Sequence, residues 1–231
     1  MFTNTRLNRF CLIVLGFTLF AFSGSCPAND ATAREFVDNF SDAKLEGRSA
    51  ERGDWKFQDN VASCVSDPKL YLQYKNHGPI LKWSQEFKDA TIEFEMKASN
   101  CQRVVFTLNG DGHVFRVTLA DERPAATAGA SKVPTRLIGW ATKSSKQNKG
   151  DTIQPVGLPD LPAVDGKWVK VKLAVVGGRG ELTIGDFETA VEHSSLAREK
   201  NLVMLTFAHG KIAVRDFRFS KTRKDDVTLV K

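Results

Sequence analysis

Apolar and polar residues alternate along much of this 231-residue chain in short stretches, with little sign of helical spacing. The clearest case is 90–97 (ATIEFEMK). There Ile92, Phe94 and Met96 fall on one face, and Thr91, Glu93, Glu95 and Lys97 on the other. A period of two is the signature of a half-buried strand. The same pattern predicts strands over 70–75, 103–108, 113–119, 135–141, 168–176, 180–184, 187–192, 202–208 and 211–219, split by Asn-Gly, Asp-Gly and Gly-Gly turns. Only 194–200 (SSLAREK) predicts a turn or two of helix, with Ser194 or Ser195 as its cap. Many short strands with almost no helix predict an all-β fold, either a sandwich or a barrel.

One hairpin carries a register. Asn109-Gly110-Asp111-Gly112 is strong turn chemistry. A four-residue loop sets Leu108 opposite His113, Phe106 opposite Phe115 and Val104 opposite Val117, which forms an apolar face. Arg103, Thr107, Arg116 and Thr118 then share the other face, and any even loop length keeps that facing. If the strand at 90–97 joins this sheet, Glu93 and Glu95 project from the same polar side. Residues 120–134 and 143–166, rich in Pro, Ala, Gly and Ser, predict long loops around the strand that carries Trp140.

The N-terminus adds a compartment. Arg6 and Arg9 precede the uncharged run Cys11–Phe22, followed by small residues, the layout of a secretory signal over 1–28. The run falls short of the roughly 20 apolar residues that span a bilayer. Cleavage just before Cys26 would instead leave that cysteine open to a lipid anchor. The reading is therefore an exported chain (periplasmic, extracellular or envelope-associated) with one β-sandwich domain over 29–231. Removing 1–28 takes two arginines and no acid from 33 basic and 27 acidic residues, leaving a mild net charge of about +4. That excess makes no case for nucleic acid. Cys64 and Cys101 remain in the body. Export favours a Cys64–Cys101 bridge, whose closed loop would stabilise by roughly 3–4 kcal/mol; two buried thiols are the alternative. Neither a CxxC nor clustered histidines point to a metal. Asp111 suits turn chemistry better than a calcium loop, so no cofactor is expected and a structural calcium is left unassigned.

Candidate chemistry lies on the polar strand faces. Glu93 and Glu95, two apart on a strand, have Cβ atoms about 6–7 Å apart. That separation suits a glycosidase acid/base pair, and it equally suits cross-strand pairing to basic residues. Arg103 and Arg116 suit bidentate bonds to a carboxylate, sulfate or diol. Trp140, and after it Trp83, suit stacking on sugar rings, whereas Trp168 and His113 read as apolar-side positions. GxSxG, P-loop and dinucleotide fingerprints are missing.

Several motifs recur in a familiar order: Phe36, Asp38 and Phe40, then Gly53-Asp54-Trp55, then Phe87-Lys88-Asp89. Asp165-Gly166-Lys167-Trp168 follows, and the chain closes on Gly210-Lys211-Ile212-Ala213-Val214-Arg215-Asp216-Phe217. Over about 35–220 this resembles the concanavalin A-like lectin/glucanase superfamily, most of all the secreted bacterial 3-keto-disaccharide hydrolase domains. The resemblance implies a jelly-roll sandwich of two antiparallel sheets, with ligands on the concave sheet or its rim loops. Three functions follow as expectations: a lectin-like module that binds a saccharide through Arg103, Arg116 and Trp140, a glycoside hydrolase that uses Glu93 and Glu95, or an envelope protein-interaction domain with no sugar site.

Overall fold

Aromatic and branched residues recurring at every second position force the strands to bury one face, and two such faces close on each other. The computed structural model describes residues 35–120 and 164–222. Five strands make one antiparallel sheet: β2 (Arg48–Glu51), β5 (Ile80–Phe87), β12 (Lys200–Ala208), β7 (Arg103–Gly110) and β8 (Gly112–Ala120), in that spatial order. The other sheet has eight. β11 (Phe187–Glu192), β10 (Arg179–Ile184), β9 (Trp168–Val176), β6 (Ala90–Ser99), β13 (Lys211–Lys221), β4 (Val61–Val65) and β3 (Lys56–Gln58) run in order, and β1 (Glu35–Asp38) pairs with the far half of β13. This is the expected jelly-roll sandwich of two antiparallel sheets. The core between them is aromatic. Phe94 of β6 stacks on Phe106 of β7 at 5.5 Å, and Phe217 of β13 lies flat on Trp83 of β5 at 3.8 Å. Such contacts add to the burial that holds the layers together.

Several expectations are corrected. Residues 70–75 are not a strand. Asp67 caps the helix α1 (Pro68–Gln73), its carboxylate accepting from the amides of Lys69 and Leu70, and Pro68 sits in the first turn, where proline is tolerated. The turn at 194–200 is a single 3-10 turn, Ser194–Ala197, capped by His193, ahead of either serine. The hairpin register moves by two: Leu108 pairs Phe115 and Thr107 pairs Arg116, with a shift between Leu108 and Asn109. The even move keeps Arg103, Thr107, Arg116 and Thr118 on one face, but the irregularity carries His113 over to that face too. The strand at 211–219 breaks its own period. Ile212 and Val214 point inward, and so do Phe217 and Phe219, because the register against β6 shifts between Arg215 and Arg218. A bulge absorbs the extra residue, with Asp216 at a φ of 54°. Trp83 is wholly buried and offers no sugar platform.

The expected Cys64–Cys101 bridge is absent. Both are buried free thiols. Cys64 on β4 pairs with Ile212, and Ile212 pairs on its other side with Ala98. β13 therefore stands between Cys64 and the end of β6 that leads to Cys101, and two strand spacings exceed what a disulfide spans. Burial raises the Cys64 thiol to about 12 and the Cys101 thiol to about 11. The signal segment 1–28, Cys26, Trp140, its strand at 135–141 and most of the two long loops lie outside the described residues.

One polar group sits inside the apolar layer. Asp38 of β1 is buried, and its carboxylate accepts from Arg48 Nη1 at 2.7 Å, Trp83 Nε1 at 3.0 Å and the Phe40 amide at 2.9 Å. The Arg48 guanidinium also lies 4.0 Å from the centre of the Phe57 ring. Asp38 belongs to the larger sheet, and Arg48 and Trp83 to the smaller, so these bonds tie the two layers. Removing one partner of a buried ion pair strands the other charge, at a cost of about 3–5 kcal/mol. Arg48→Met is expected to lower unfolding free energy by about that much in urea titrations. A loss of under about 1 kcal/mol would show that the pair does not hold the layers.

Candidate functional site

The outer face of the five-stranded sheet forms a grid read directly from its pairing. Ser49, Lys82, Met204, Thr107 and Arg116 make one straight row across all five strands. The next row is Glu51, Ile80, Thr206, Val105 and Thr118. Arg103 stands one row further on, opposite Ala208. A cleft of about 290 Å³ runs over this grid, lined by Lys82, Met204, Thr107, Arg103 and Arg116 among others. Its volume suits a small ligand.

One wall comes from α1 and the segment after it, with Tyr71 on the helix and Asn76, His77 and Gly78 beyond it lining the cleft. Gly78 permits that wall. A Cβ there would sit 1.8 Å from the Phe207 carbonyl oxygen, so only glycine lets the chain pass so close to β12. Tyr71 packs on the His209 ring at 4.9 Å, and the Arg52 guanidinium lies 5.5 Å from the Tyr74 ring centre. At the hairpin end, His113 Nδ1 lies 2.6 Å from Asn109 Oδ1, and Asn109 Nδ2 approaches the Met204 sulfur at 3.2 Å.

The charge on this face is one-sided. Lys82 Nζ is paired with Glu51 at 2.5 Å. Among the described residues no carboxylate pairs with Arg52, Arg103 or Arg116. Part of Arg116 reaches solvent, yet crowding in the cleft lowers its pKa from the ordinary value, and the charge of Arg103 lowers it further. The structure thus brings Arg103 and Arg116 into one cleft, as expected.

It does not bring Glu93 and Glu95 there. Both stand on β6, in the other sheet, and face the opposite side of the sandwich. The expectation that they share a face with the arginines is corrected: the chain changes sheets between β6 and β7. Basic residues flank them on both neighbouring strands. Glu93 pairs in register with Lys172 and Arg218, and Glu95 with Lys170 and Arg215. Lys170 Nζ reaches Glu93 at 3.2 Å, and Arg215 holds Glu95 Oε2 through Nε at 2.6 Å and Nη2 at 2.5 Å. Trp168 is half-buried on this outer face, with the Arg215 guanidinium 4.3 Å from its ring centre, and is not a core residue. A larger depression of about 440 Å³ lies over β9–β11, but its Arg179 is bonded to Glu181 at 2.8 Å and Glu192 at 3.0 Å. That arginine is held by two carboxylates of its own hairpin. Among the described residues no group of three or more His, Cys, Asp or Glu side chains gathers for a metal, and no helix is long and apolar enough to cross a membrane.

Sequence reasoning passed over Arg52, Tyr71, Met204 and Thr206 as cleft residues, because only the tertiary fold makes them neighbours. It also passed over Lys200, a buried amine. Lys200 Nζ donates to the carbonyls of Lys88 at 2.6 Å, Leu196 at 2.7 Å and Arg198 at 2.7 Å, which occupies all its donors. It is a clamp between the 3-10 turn and β5's end, not a nucleophile. Burial pushes its ammonium down to about 8 from 10.5. Between those pH values the unfolded chain binds more protons, so the contribution of this site to stability rises with pH. The stability difference between the wild-type protein and Lys200→Met is expected to grow in favour of wild type across that window in urea titrations. A flat difference would contradict the assignment.

Comparison with known proteins bears on the fold. No family model and no curated protein matches the chain. Solved structures do. A Bacillus licheniformis β-glucanase superposes with a TM-score of 0.57 at 10% identity, covering 83% of this chain and all of that one. The CBM2 module of the evolved Dit protein of Lactobacillus casei BL23 phage J-1 gives 0.55 at 12% identity, over 80% of this chain and 95% of that module. A lichenase from a mouse hindgut metagenome gives 0.53 at 12% identity, over 82% and 99%. These likenesses establish the jelly-roll fold.

Proposed function

We propose that this chain is an exported saccharide-binding module whose site is the cleft on the outer face of the five-stranded sheet. The observation that supports the reading most is the grid itself. A depression on a flat sheet face combines hydrogen-bonding groups (Thr107, Thr206, Arg103, Arg116) with the apolar surface of Met204 and Tyr71. Sugars need both kinds of contact, donors and acceptors for hydroxyls and an apolar face for ring C–H groups. The shared fold with a glucanase and a module named as carbohydrate-binding agrees with this reading.

Hydrolysis by Glu93 and Glu95, in the manner of a keto-disaccharide hydrolase, is the less favoured reading. Each carboxylate is engaged by a basic neighbour, and the pair lies on the face opposite the cleft. A glycan array run on the purified wild-type protein, Arg116→Ala and Glu93→Gln separates the two. Binding is expected for wild type and Glu93→Gln, with at least about tenfold loss in Arg116→Ala, the effect of one charge-assisted bidentate contact. Signal lost in Glu93→Gln and kept in Arg116→Ala would overturn the assignment of the face.

A further inference from the structure

We infer that the ligand of the cleft is an acidic saccharide, one that presents carboxylate or sulfate groups to Arg103 and Arg116. This rests on the saccharide reading above and specifies it. Three guanidinium groups, those of Arg52, Arg103 and Arg116, line the cleft. None has a carboxylate partner among the described residues, and Lys82, the remaining strong cation of the lining, is already paired with Glu51.

The rest of the molecule shows what this sequence does with exposed cations when a structural partner is intended. On the larger sheet Lys170, Arg179 and Arg215 each meet a glutamate within 3.2 Å, and Arg218 lies 3.8 Å from Glu35. Among the described residues the arginines of the cleft have no such partner, whereas on the larger sheet only lysines such as Lys97 and Lys172 go without one. Arg103 and Arg116 stand near enough for the charge of one to disfavour the charge of the other. Like charges gathered in a partly water-excluded depression raise the energy of the empty site and lower it once an anion enters. A planar guanidinium offers two parallel donors, the match for two oxygens of a carboxylate or sulfate. A neutral sugar leaves the mutual repulsion in place. Thr107, Thr206 and Met204, between the arginines and Lys82, are then left for the hydroxyls and the ring face.

Titration calorimetry on the full protein tests this with five probes: an oligogalacturonate, a sulfated oligosaccharide, a neutral laminari-oligosaccharide, galacturonic acid and inorganic sulfate. Binding of an acidic oligosaccharide is expected to be at least about tenfold tighter than that of the neutral one, and to weaken as salt rises. Galacturonate against sulfated oligomer shows which anion is read. Arg116→Ala and Arg103→Ala are expected to lose that preference and its salt dependence. Arg116→Lys is expected to recover part of the salt dependence without the full affinity, and Arg179→Ala, on the other sheet, is expected to change neither. Equal binding of neutral and acidic oligomers would overturn the acidic assignment and leave the saccharide reading standing. Sulfate binding as tightly as the oligomers would overturn the saccharide reading. Binding of none of the probes would overturn both.

Discussion

A single buried carboxylate ties the two sheets of this sandwich. Asp38 takes the indole N–H of Trp83 and the guanidinium of Arg48, both carried by the smaller sheet, while its own strand belongs to the larger. A charge can persist in an apolar layer only when its hydrogen bonds are supplied. Those bonds fix the side chain of Trp83, and Trp83 in turn receives Phe217 flat against it at 3.8 Å. Phe217 reaches that position only because β13 carries an extra residue at Arg215–Asp216. The polar contact, the stack and the bulge depend on one another, and together they set how the inner faces meet.

Fixing the inner faces also fixes the outer ones, and these differ in their electrostatics. The larger sheet shows carboxylates on β6 between basic residues on β9 and β13, a face satisfied by its own neighbours. The smaller sheet shows arginines with no carboxylate partner among the described residues, set over threonines and a methionine. Exposed ion pairs of the first kind are worth little apiece and need no ligand to explain them. Arginines gathered in a depression with no carboxylate partner among the described residues do call for an explanation, and a ligand supplies it.

Much of the strand pattern was legible because alternation is a local property. The strands at 168–176 and 187–192 match the structure end to end, since each presents an unbroken period of two. The segment 70–75 misled for the same reason: LYLQYK alternates, but Asp67-Pro68 ahead of it is a helix start, and the cap outweighs a six-residue pattern. β5 was hidden by Ile80 and Leu81, adjacent apolar residues of which one faces the core and the other the cleft. That Arg103 and Arg116 share a face could be reached because a hairpin joins their strands. The place of Glu93 and Glu95 could not. Their partners Lys170 and Arg215 lie far along the chain, and nothing local at Asn100–Gln102 announces that the chain crosses to the other sheet. Of the cleft's other residues, Met204 and Thr206 are brought in by strand order, and Arg52 and Tyr71 come from beyond the end of β2 and from α1.

The account stands on the claim that the five-stranded sheet carries the ligand face. Backbone amide shift mapping by NMR tests it most directly, with an acidic oligosaccharide added to isotope-labelled protein. The account predicts the largest shifts at Arg103, Thr107, Arg116, Met204 and Thr206, with Glu93, Glu95, Lys170 and Arg215 unmoved. Shifts concentrated on β6, β9 and β13 instead would contradict it.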